Sequence, residues 1–130
     1  MARVLIVEDN PANQKLVGGL LKRAGHELAM VENAQDGIAR ALAEPFDLIV
    51  MDVSLPGMDG VTATRALRAD EHGRDIPILA VTANAMAGDR ERILGAGCTD
   101  YLAKPFGYRD FLAKVASLLE VSETFEASET

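Results

Sequence analysis

Three carboxylates, a threonine and a lysine are the residues of this 130-residue chain whose types and positions could do chemistry. Each of them ends or directly follows one of four separate apolar runs: Glu8, Asp9, Asp52, Thr82 and Lys104. Short apolar runs bounded by turn residues are typical of buried strands. In a parallel sheet the carboxyl ends of the strands lie at one edge, where open α/β sheets bind ligands. The pattern therefore predicts one pocket built from residues that are far apart in the sequence.

Crowded carboxylates repel one another, and this repulsion raises their pKa values. A divalent cation relieves it, and Mg²⁺ prefers oxygen ligands, typically one or two carboxylates with several waters. We therefore assign Asp9 and Asp52 as direct Mg²⁺ ligands, with Glu8 reaching the ion through water and Mn²⁺ as an alternative ion. The simpler interpretation of Glu8 and Asp9 is a solvated acidic turn.

Lys104 and Thr82 add what a transferring phosphoryl group needs. A lysine ammonium acts as a point charge for phosphate, and Thr82 offers a hydroxyl. With a carboxylate nucleophile, these groups indicate phosphoryl transfer. The simpler alternatives are a salt bridge between Lys104 and Asp52, and a structural role for Thr82 at a turn or helix start.

Five strands alternating with five helices are predicted to position these residues. The strands are expected at Arg3 to Val7, Glu27 to Val31, Asp47 to Met51, Ile76 to Thr82, and Tyr101 to Leu102. The helices are expected from Asn10 and Pro11 to Gly25, Asn33 to Ala43, Val61 to Ala69, Met86 to Ala96, and Tyr108 to Leu119. This alternation predicts one doubly wound α/β domain over residues 1–119. The acidic residues 120–130 are expected to form a flexible tail or linker stub.

Two helices have apolar faces that can be assigned from their spacing. The first is expected to turn inward Ala12, Leu16, Val17, Leu20, Leu21 and Ala24. The third is expected to turn inward Ala63, Ala66 and Leu67.

Composition argues against several classes of protein. The formal net charge of −7 argues against a nucleic-acid binder, which would carry a basic patch. No apolar window approaches the ~18 residues of a membrane span. The single cysteine, Cys98, excludes an internal disulfide and is expected to be a packed apolar residue, which suits a cytoplasmic protein. His26 and His72 lie in polar turns and are expected at the surface.

Five segments together resemble the receiver domain of two-component response regulators. They are Val4 to Asn10, Met51–Asp52, Leu55 to Gly60, Val81 to Ala83, and Lys104–Pro105. The resemblance covers about residues 2 to 119 and implies the CheY-like, flavodoxin-like fold with strand order 2-1-3-4-5. Within the family, the segments from Asn10 to Leu16 and from Ala80 to Met86 are similar to DivK-like single-domain receivers and to the receivers of hybrid histidine kinases.

The resemblance implies that Asp52 accepts a phosphoryl group from a phosphohistidine on a histidine kinase or a histidine phosphotransfer protein. Mg²⁺ would be held by Asp9, Asp52 and the backbone carbonyl of Ser54. Thr82 and Lys104 would bind the phosphoryl oxygens. Such a module is not an enzyme in the usual sense, although it catalyses its own phosphorylation and hydrolysis.

The resemblance also implies a cis peptide bond between Lys104 and Pro105, and a switch in which Thr82 and Tyr101 move together. The switch would remodel the face formed by helix 4, strand 5 and helix 5, through which a downstream protein would be contacted. Small polar residues beside the pocket, Ser54 and Asn84, predict a moderate rather than a very slow rate of autodephosphorylation.

Two other functions can use acidic strand ends. A Mg²⁺-dependent phosphohydrolase or a Toprim-like nuclease would need an Asp-x-Asp pair, whereas Val53 and Ser54 follow Asp52. A flavin or nucleotide binder of the same fold would need small residues after the first strand to cradle phosphate. Glu8 and Asp9 would repel phosphate there unless a metal intervened.

Overall fold

The computed structural model describes residues 2–83 and 88–129, with side chains described as far as residue 120. Five strands alternate with five helices. In chain order they are β1 Arg3–Val7, α1 Pro11–Arg23, β2 Glu27–Val31, α2 Ala34–Ala43, β3 Leu48–Asp52, α3 Gly60–Ala69, β4 Ile78–Thr82, α4 Asp89–Gly95, β5 Asp100–Ala103 and α5 Tyr108–Glu129.

The strands form one parallel sheet in the order β2-β1-β3-β4-β5, which confirms the predicted topology. Val7 pairs with Met51, and Asp52 pairs with Val81. This register brings the carboxyl ends of β1, β3 and β4 level with one another. Residues that end or follow these strands therefore share one edge of the sheet.

The core lies on both faces of the sheet because β3 and β4 are buried at every position and are apolar at all but their last residue. On one face, Leu5, Val7, Ile49 and Met51 pack with residues of α2, α3 and α4. The other face packs against α1 and α5, where Phe111 is fully buried. Continuous apolar strands are what a sheet covered by helices on both sides requires.

Asparagine side chains fix the starts of two helices, α1 and α2. Asn10 Oδ1 accepts hydrogen bonds from the backbone N–H groups of Ala12 and Asn13, and Asn33 Oδ1 accepts one from Asp36. These caps satisfy N–H groups that have no partner within the helix. Asn10 and Asn33, where these two helices were predicted to start, are thus their N-caps.

Several predicted boundaries are wrong. β3 ends at Asp52 and not at Met51, because the backbone of Asp52 still pairs with β4. β5 includes Asp100 and Ala103, and β4 begins at Ile78. The predicted start of α4 at Met86 lies outside the described residues; the helix is described from Asp89, after Gly88 with φ of 95°.

The end of α5 also differs from the prediction, since the helix continues to Glu129 instead of stopping at Leu119. No glycine or proline occurs between these positions, so nothing in the backbone chemistry ends the helix. The division of the chain into a domain of residues 1–119 and a tail of residues 120–130 stays a prediction.

The apolar face of α1 is narrower than predicted. Ala12, Leu16 and Ala24 are exposed, and Leu20 is only half-buried. The helix meets the sheet through Gly18, where a Cβ atom would lie 3.3 Å from Met30 Cε. This close approach rotates Leu16 toward solvent. In α3, Ala66 is likewise exposed. The buried face of this helix is formed by Ala63, Thr64 and Leu67 instead.

Candidate functional site

The structure brings the predicted residues together at the carboxyl edge of the sheet. Glu8 and Asp52 are 5% and 6% exposed, although both are acidic. Lys104 Nζ lies 3.4 Å from Glu8 Oε1 and 3.5 Å from Asp52 Oδ2. Thr82 is buried at the end of the neighbouring strand. Buried carboxylates are uncommon unless they are paired, so the arrangement is a specialised site.

The carboxylates can hold a cation. Oxygens from Glu8, Asp9 and Asp52 lie within 4.8 Å of one another, and Asp9 is the exposed member of the group. Glu8 Oε2 is buried and has no hydrogen-bond partner among the described residues. An orphaned buried carboxylate oxygen is costly, and a hydrated divalent ion would satisfy it. These residues therefore fit the predicted Mg²⁺ site.

The electrostatics of Glu8 follow from its surroundings. Burial, together with a hydrogen bond and the negative charge from Asp52, raises the pKa of Glu8 from 4.5 to about 7. A hydrogen bond from Asn13 and the charge of Lys104 oppose this rise in pKa only partly. One ammonium is therefore insufficient to balance the two buried carboxyl groups.

Residues of α1 hold the acidic segment in place. Gln14 Nε2 donates a hydrogen bond of 2.6 Å to the carbonyl oxygen of Glu8. The backbone N–H of Glu8 donates to Val31 in β2. Both polar groups of the Glu8 backbone are thereby fixed. The contribution of Gln14 was not predicted, although its position early in the helix that follows the acidic pair is a usable signal.

Asp52 is fixed by the loop that follows it. The backbone N–H of Ser54 donates to Asp52 Oδ1 at 3.0 Å. Gly60 packs so closely behind the strand that a Cβ atom there would lie 2.4 Å from the carbonyl oxygen of Asp52. Gly60 follows Asp59, whose carboxylate caps α3 by accepting from the N–H of Thr62. The packing role of Gly60 was also missed by the sequence analysis.

The remaining predicted residues lie around this centre. The Lys104–Pro105 peptide bond is cis, and the N–H of Lys104 donates to the carbonyl oxygen of Thr82 at 2.7 Å. Tyr101 is half-buried on β5 and packs against the core cluster on the α2 and α3 side. Ser54 is exposed, and Asn84 lies outside the described residues.

The other titratable residues lie away from the site. Cys98 is buried and contacts Thr64, and burial raises the pKa of its thiol, which confirms its assignment as a packing residue. His72 is exposed as predicted. His26 is half-buried instead of fully exposed, because its Nδ1 accepts a hydrogen bond from the N–H of Ala2.

A cavity of about 410 Å³ is lined at one end by Glu8, Asp52 and Lys104 and extends between α1 and the loop after β5. Its walls are mostly apolar and include Leu16, Val17, Pro105 and Phe106. Leu16, which is 52% exposed, contributes to this lining. The acidic site is thus flanked by apolar surface.

Residues 4–116 match the family model of the response regulator receiver domain. The chain belongs to this family. The receiver is 40% identical over 116 residues to the polar-differentiation response regulator DivK of Brucella anthropi, covering 89% of this chain and 94% of DivK. It is also 47% identical over 102 residues to the signal transduction histidine-protein kinase BarA of Shigella flexneri, covering 78% of this chain. That match spans only 11% of BarA, so the receiver corresponds to a small part of such kinases.

Solved structures support the same assignment. The receiver domain of the sensor histidine kinase PA1611 of Pseudomonas aeruginosa has a TM-score of 0.85 and 41% identity, covering 92% of this chain and 98% of that structure. That structure contains a magnesium ion coordinated in its active-site cleft. A CheY-like receiver domain protein of Methanospirillum hungatei has a TM-score of 0.88 and 28% identity, and the match covers 95% of this chain and 98% of that structure. The protein is therefore a receiver domain of two-component signalling, as predicted. Among its described helices, none is long and apolar enough to cross a membrane.

Proposed function

We propose that Asp52 accepts a phosphoryl group from a phosphohistidine on a histidine kinase or a histidine phosphotransfer protein. The observation that carries this proposal is a buried carboxylate with an ammonium 3.5 Å away and two further carboxylates within 4.8 Å. An Asp52 carboxylate oxygen forms the new bond to phosphorus, and the bond between phosphorus and the donor imidazole nitrogen breaks. The leaving imidazole keeps the electron pair of that bond.

Each residue around Asp52 has one task in this step. Lys104 neutralises charge on the transferring oxygens, and the Thr82 hydroxyl donates a hydrogen bond to one of them. Asp9, Asp52 and the carbonyl of Ser54 would hold Mg²⁺, and Glu8 would hold one of its water ligands. When bound, the ion supplies positive charge that offsets the acidic site and the phosphoryl oxygens. Mn²⁺ also prefers oxygen ligands and would substitute.

We further propose that the phosphorylated protein hydrolyses its own acyl phosphate. Ser54 is exposed at the mouth of the site and is too small to exclude water. Asn84 is assigned the same role from the sequence. The rate of hydrolysis should therefore be moderate rather than very slow, and a phosphate half-life of many hours on Asp52 would contradict this part of the proposal.

The signal would leave through the face formed by α4, β5 and α5. A phosphoryl group on Asp52 would draw the Thr82 hydroxyl toward it, and Tyr101 would turn into the vacated space. Tyr101 is half-buried next to the core, so a modest rotation would change its exposure. We infer a cytoplasmic protein that acts on a downstream protein and binds neither nucleic acid nor membrane.

Intact-mass analysis tests the proposed acceptor. With Mg²⁺ and acetyl phosphate, the protein should gain a single phosphoryl adduct, and chelation of the metal should prevent it. Asp52→Asn should abolish the adduct. Asp75→Asn, which alters an exposed carboxylate in the loop after α3, is the matched control and should be labelled normally. An adduct that persists in Asp52→Asn, or phosphoester turnover without an adduct, would refute the assignment.

A further inference from the structure

The cavity beside the phosphoryl-transfer site combines a charged end with apolar walls. Glu8, Asp52 and Lys104 line the charged end, and among the described residues every other lining side chain except Asn13 is apolar. Its volume of about 410 Å³ falls within the roughly 300–1,000 Å³ of small-molecule sites, which are mostly apolar with a few polar groups. Phosphoryl transfer uses only the charged end, so that chemistry alone does not require the apolar walls.

The apolar walls are formed by well-packed parts of the fold. Val50 and Val81 belong to buried central strands, and Val17 lies on the buried face of α1. Phe106, in the loop after β5, stacks on the fully buried Phe111 with the ring centroids 5.4 Å apart. Because core packing holds these walls, the cavity is a preformed feature of the domain.

Leu16 extends the apolar surface to the mouth of the cavity. Its side chain lines the cavity and is nevertheless 52% exposed. A single exposed leucine is common on protein surfaces and by itself indicates nothing. Leu16, however, lines the same cavity as Val17 and Phe106 and is not isolated from other apolar groups. An apolar ligand in the cavity would therefore also cover Leu16.

The acceptor carboxylate and the apolar walls belong to one continuous cavity. In phosphoryl transfer the attacking and leaving oxygens lie roughly in line with phosphorus. When the phosphoryl group lies beside Asp52 and Lys104, the leaving group is therefore on the far side of phosphorus from Asp52. A leaving group that continues along the cavity from there meets Leu16 and Phe106.

We propose that this cavity binds the apolar body of the phosphodonor, so that the protein reacts with aromatic acyl phosphates in preference to acetyl phosphate. The proposal rests on Asp52 as the phosphoryl acceptor. With benzoyl phosphate, an Asp52 carboxylate oxygen forms the bond to phosphorus, and the bond between phosphorus and the acyl oxygen breaks. Benzoate leaves with the electron pair of that bond, and no further reactant is consumed.

Charge and apolar contact act at opposite ends of such a donor. Lys104 attracts the phosphoryl group, and Mg²⁺ is included in the test because Glu8 and Asp52 would otherwise repel that group. Acetyl phosphate offers only a methyl group to the walls, whereas benzoyl phosphate offers a phenyl ring that can bury apolar surface. A single methylene in a hydrophobic pocket changes specificity by about tenfold or more. A preference of about tenfold is therefore expected even for a ring that is only partly covered.

Intact-mass analysis of the full chain measures the preference. The second-order rate constant for the Asp52 adduct should be about tenfold higher with benzoyl phosphate than with acetyl phosphate at the same Mg²⁺ concentration. In Leu16→Gln, which replaces an exposed apolar side chain by a polar one, this ratio should fall to about threefold or less. Leu16→Met keeps an apolar side chain of similar volume and should retain the wild-type ratio.

Leu20→Gln is the matched control. Leu20 lies one turn further along α1, packs partly against the core and does not line the cavity, so its ratio should equal that of the wild type. Comparing ratios between variants cancels the difference in intrinsic reactivity between the two donors. Thermal unfolding of each variant establishes that it is folded, and Leu16→Ala replaces the glutamine variant if that one is not.

Binding of inert analogues gives a second readout. Phenylphosphonate and methylphosphonate cannot transfer their phosphoryl groups, because phosphorus is bonded to carbon. With Mg²⁺, phenylphosphonate should inhibit labelling by acetyl phosphate at about tenfold lower concentration than methylphosphonate, and Leu16→Gln should reduce this difference.

Two results would overturn the proposal. They are equal rates with benzoyl and acetyl phosphate in the wild type, and a preference that Leu16→Gln leaves unchanged. Failure of acetyl phosphate to label Asp52 at all would instead refute the acceptor itself, and with it this proposal.

Discussion

Glu8→Gln tests the electrostatic account of the site. The substitution keeps the shape of the side chain and removes its charge. The pKa of Glu8 is raised from 4.5 to about 7 in the folded protein. An acid whose folded pKa is raised stabilises the fold fully below its unfolded pKa and loses that contribution as the pH rises through the folded value. In metal-free protein, stability from Glu8 is therefore lost between about pH 4.5 and pH 7.

The size of the effect follows from the shift in the pKa. One pKa unit corresponds to about 1.4 kcal/mol of free energy, so the rise in the pKa of Glu8 changes the free energy of unfolding by on the order of 3 kcal/mol. Glu8 is 5% exposed, and solvent screening therefore reduces the effect little. Relative to wild type, metal-free Glu8→Gln should be more stable at pH 8 by on the order of 2–3 kcal/mol, with the difference shrinking toward pH 5.

Urea unfolding at a series of pH values, in the presence of a chelator, measures this difference directly. Glu44→Gln is the matched control, because its ion pairs with Arg3 and Arg40 lower the pKa of Glu44. Its stabilising contribution is present above pH 4.5 and is lost at lower pH, so its pH dependence has the opposite sign. Identical pH profiles for wild type and Glu8→Gln would refute the charge-imbalance argument.

Mg²⁺ should reduce the difference in stability between the wild type and Glu8→Gln. An ion that binds only the folded state stabilises it in proportion to the logarithm of its concentration over its dissociation constant. Glu8→Gln should bind Mg²⁺ about tenfold more weakly, since loss of an outer-sphere charge partner typically reduces metal affinity by this order. A tenfold difference in Kd corresponds to about 1.4 kcal/mol, so saturating Mg²⁺ should restore to the wild type roughly half of the stability that it lacks at pH 8 relative to Glu8→Gln. Equal Mg²⁺ affinities would exclude Glu8 from the metal site.

Two further predictions concern the segments that position Asp52. Gly60→Ala should cost about 3 kcal/mol in urea unfolding and slow labelling by acetyl phosphate, because the new Cβ would lie 2.4 Å from the carbonyl oxygen of Asp52. Gly19→Ala, where the new Cβ meets no atom within 4 Å, should instead raise the free energy of unfolding by up to about 1 kcal/mol. If both substitutions change the free energy of unfolding equally, the contact at Gly60 is unimportant. Asp59→Ala should cost about 1 kcal/mol at pH 7 by removing the cap on Thr62. Because that hydrogen bond lowers the pKa of Asp59, the difference should fade as the pH drops below 3.8, and a constant difference would contradict the capping role.

Most of the fold could be predicted because local and long-range signals agree. The four apolar residues before Asp52 lie on both faces of β3, as expected for a parallel strand covered by helices on both sides. Asn10 and Asn33 mark the starts of their helices through local hydrogen bonds. The errors arose where packing overrode periodicity. Leu16 follows the apolar pattern of α1, yet the close contact at Gly18 turns it outward. Periodicity specifies which residues share a face but not the rotation of the helix on the sheet.

The site could be predicted as a set of residues but not as a balance of charges. Strand ends in a parallel sheet converge, so Glu8, Asp52 and Lys104 had to meet. Adjacent acids such as Glu8 and Asp9 look equivalent in sequence, whereas the structure buries the first and exposes the second. That difference follows from the register of β1 and from the hydrogen bond that Gln14 makes to the Glu8 carbonyl.

This asymmetry explains why the site should need a cation and not merely tolerate one. Two buried carboxyl groups face one ammonium, so without a further positive charge one of them is best neutralised by a proton. Glu8 is the group whose pKa rises accordingly. A divalent ion at this site would supply the missing positive charge and would remove the need for that proton on Glu8. Proton release from Glu8 and Mg²⁺ binding are therefore expected to be coupled, and proton uptake instead of release on adding Mg²⁺ at pH 7 would contradict this account.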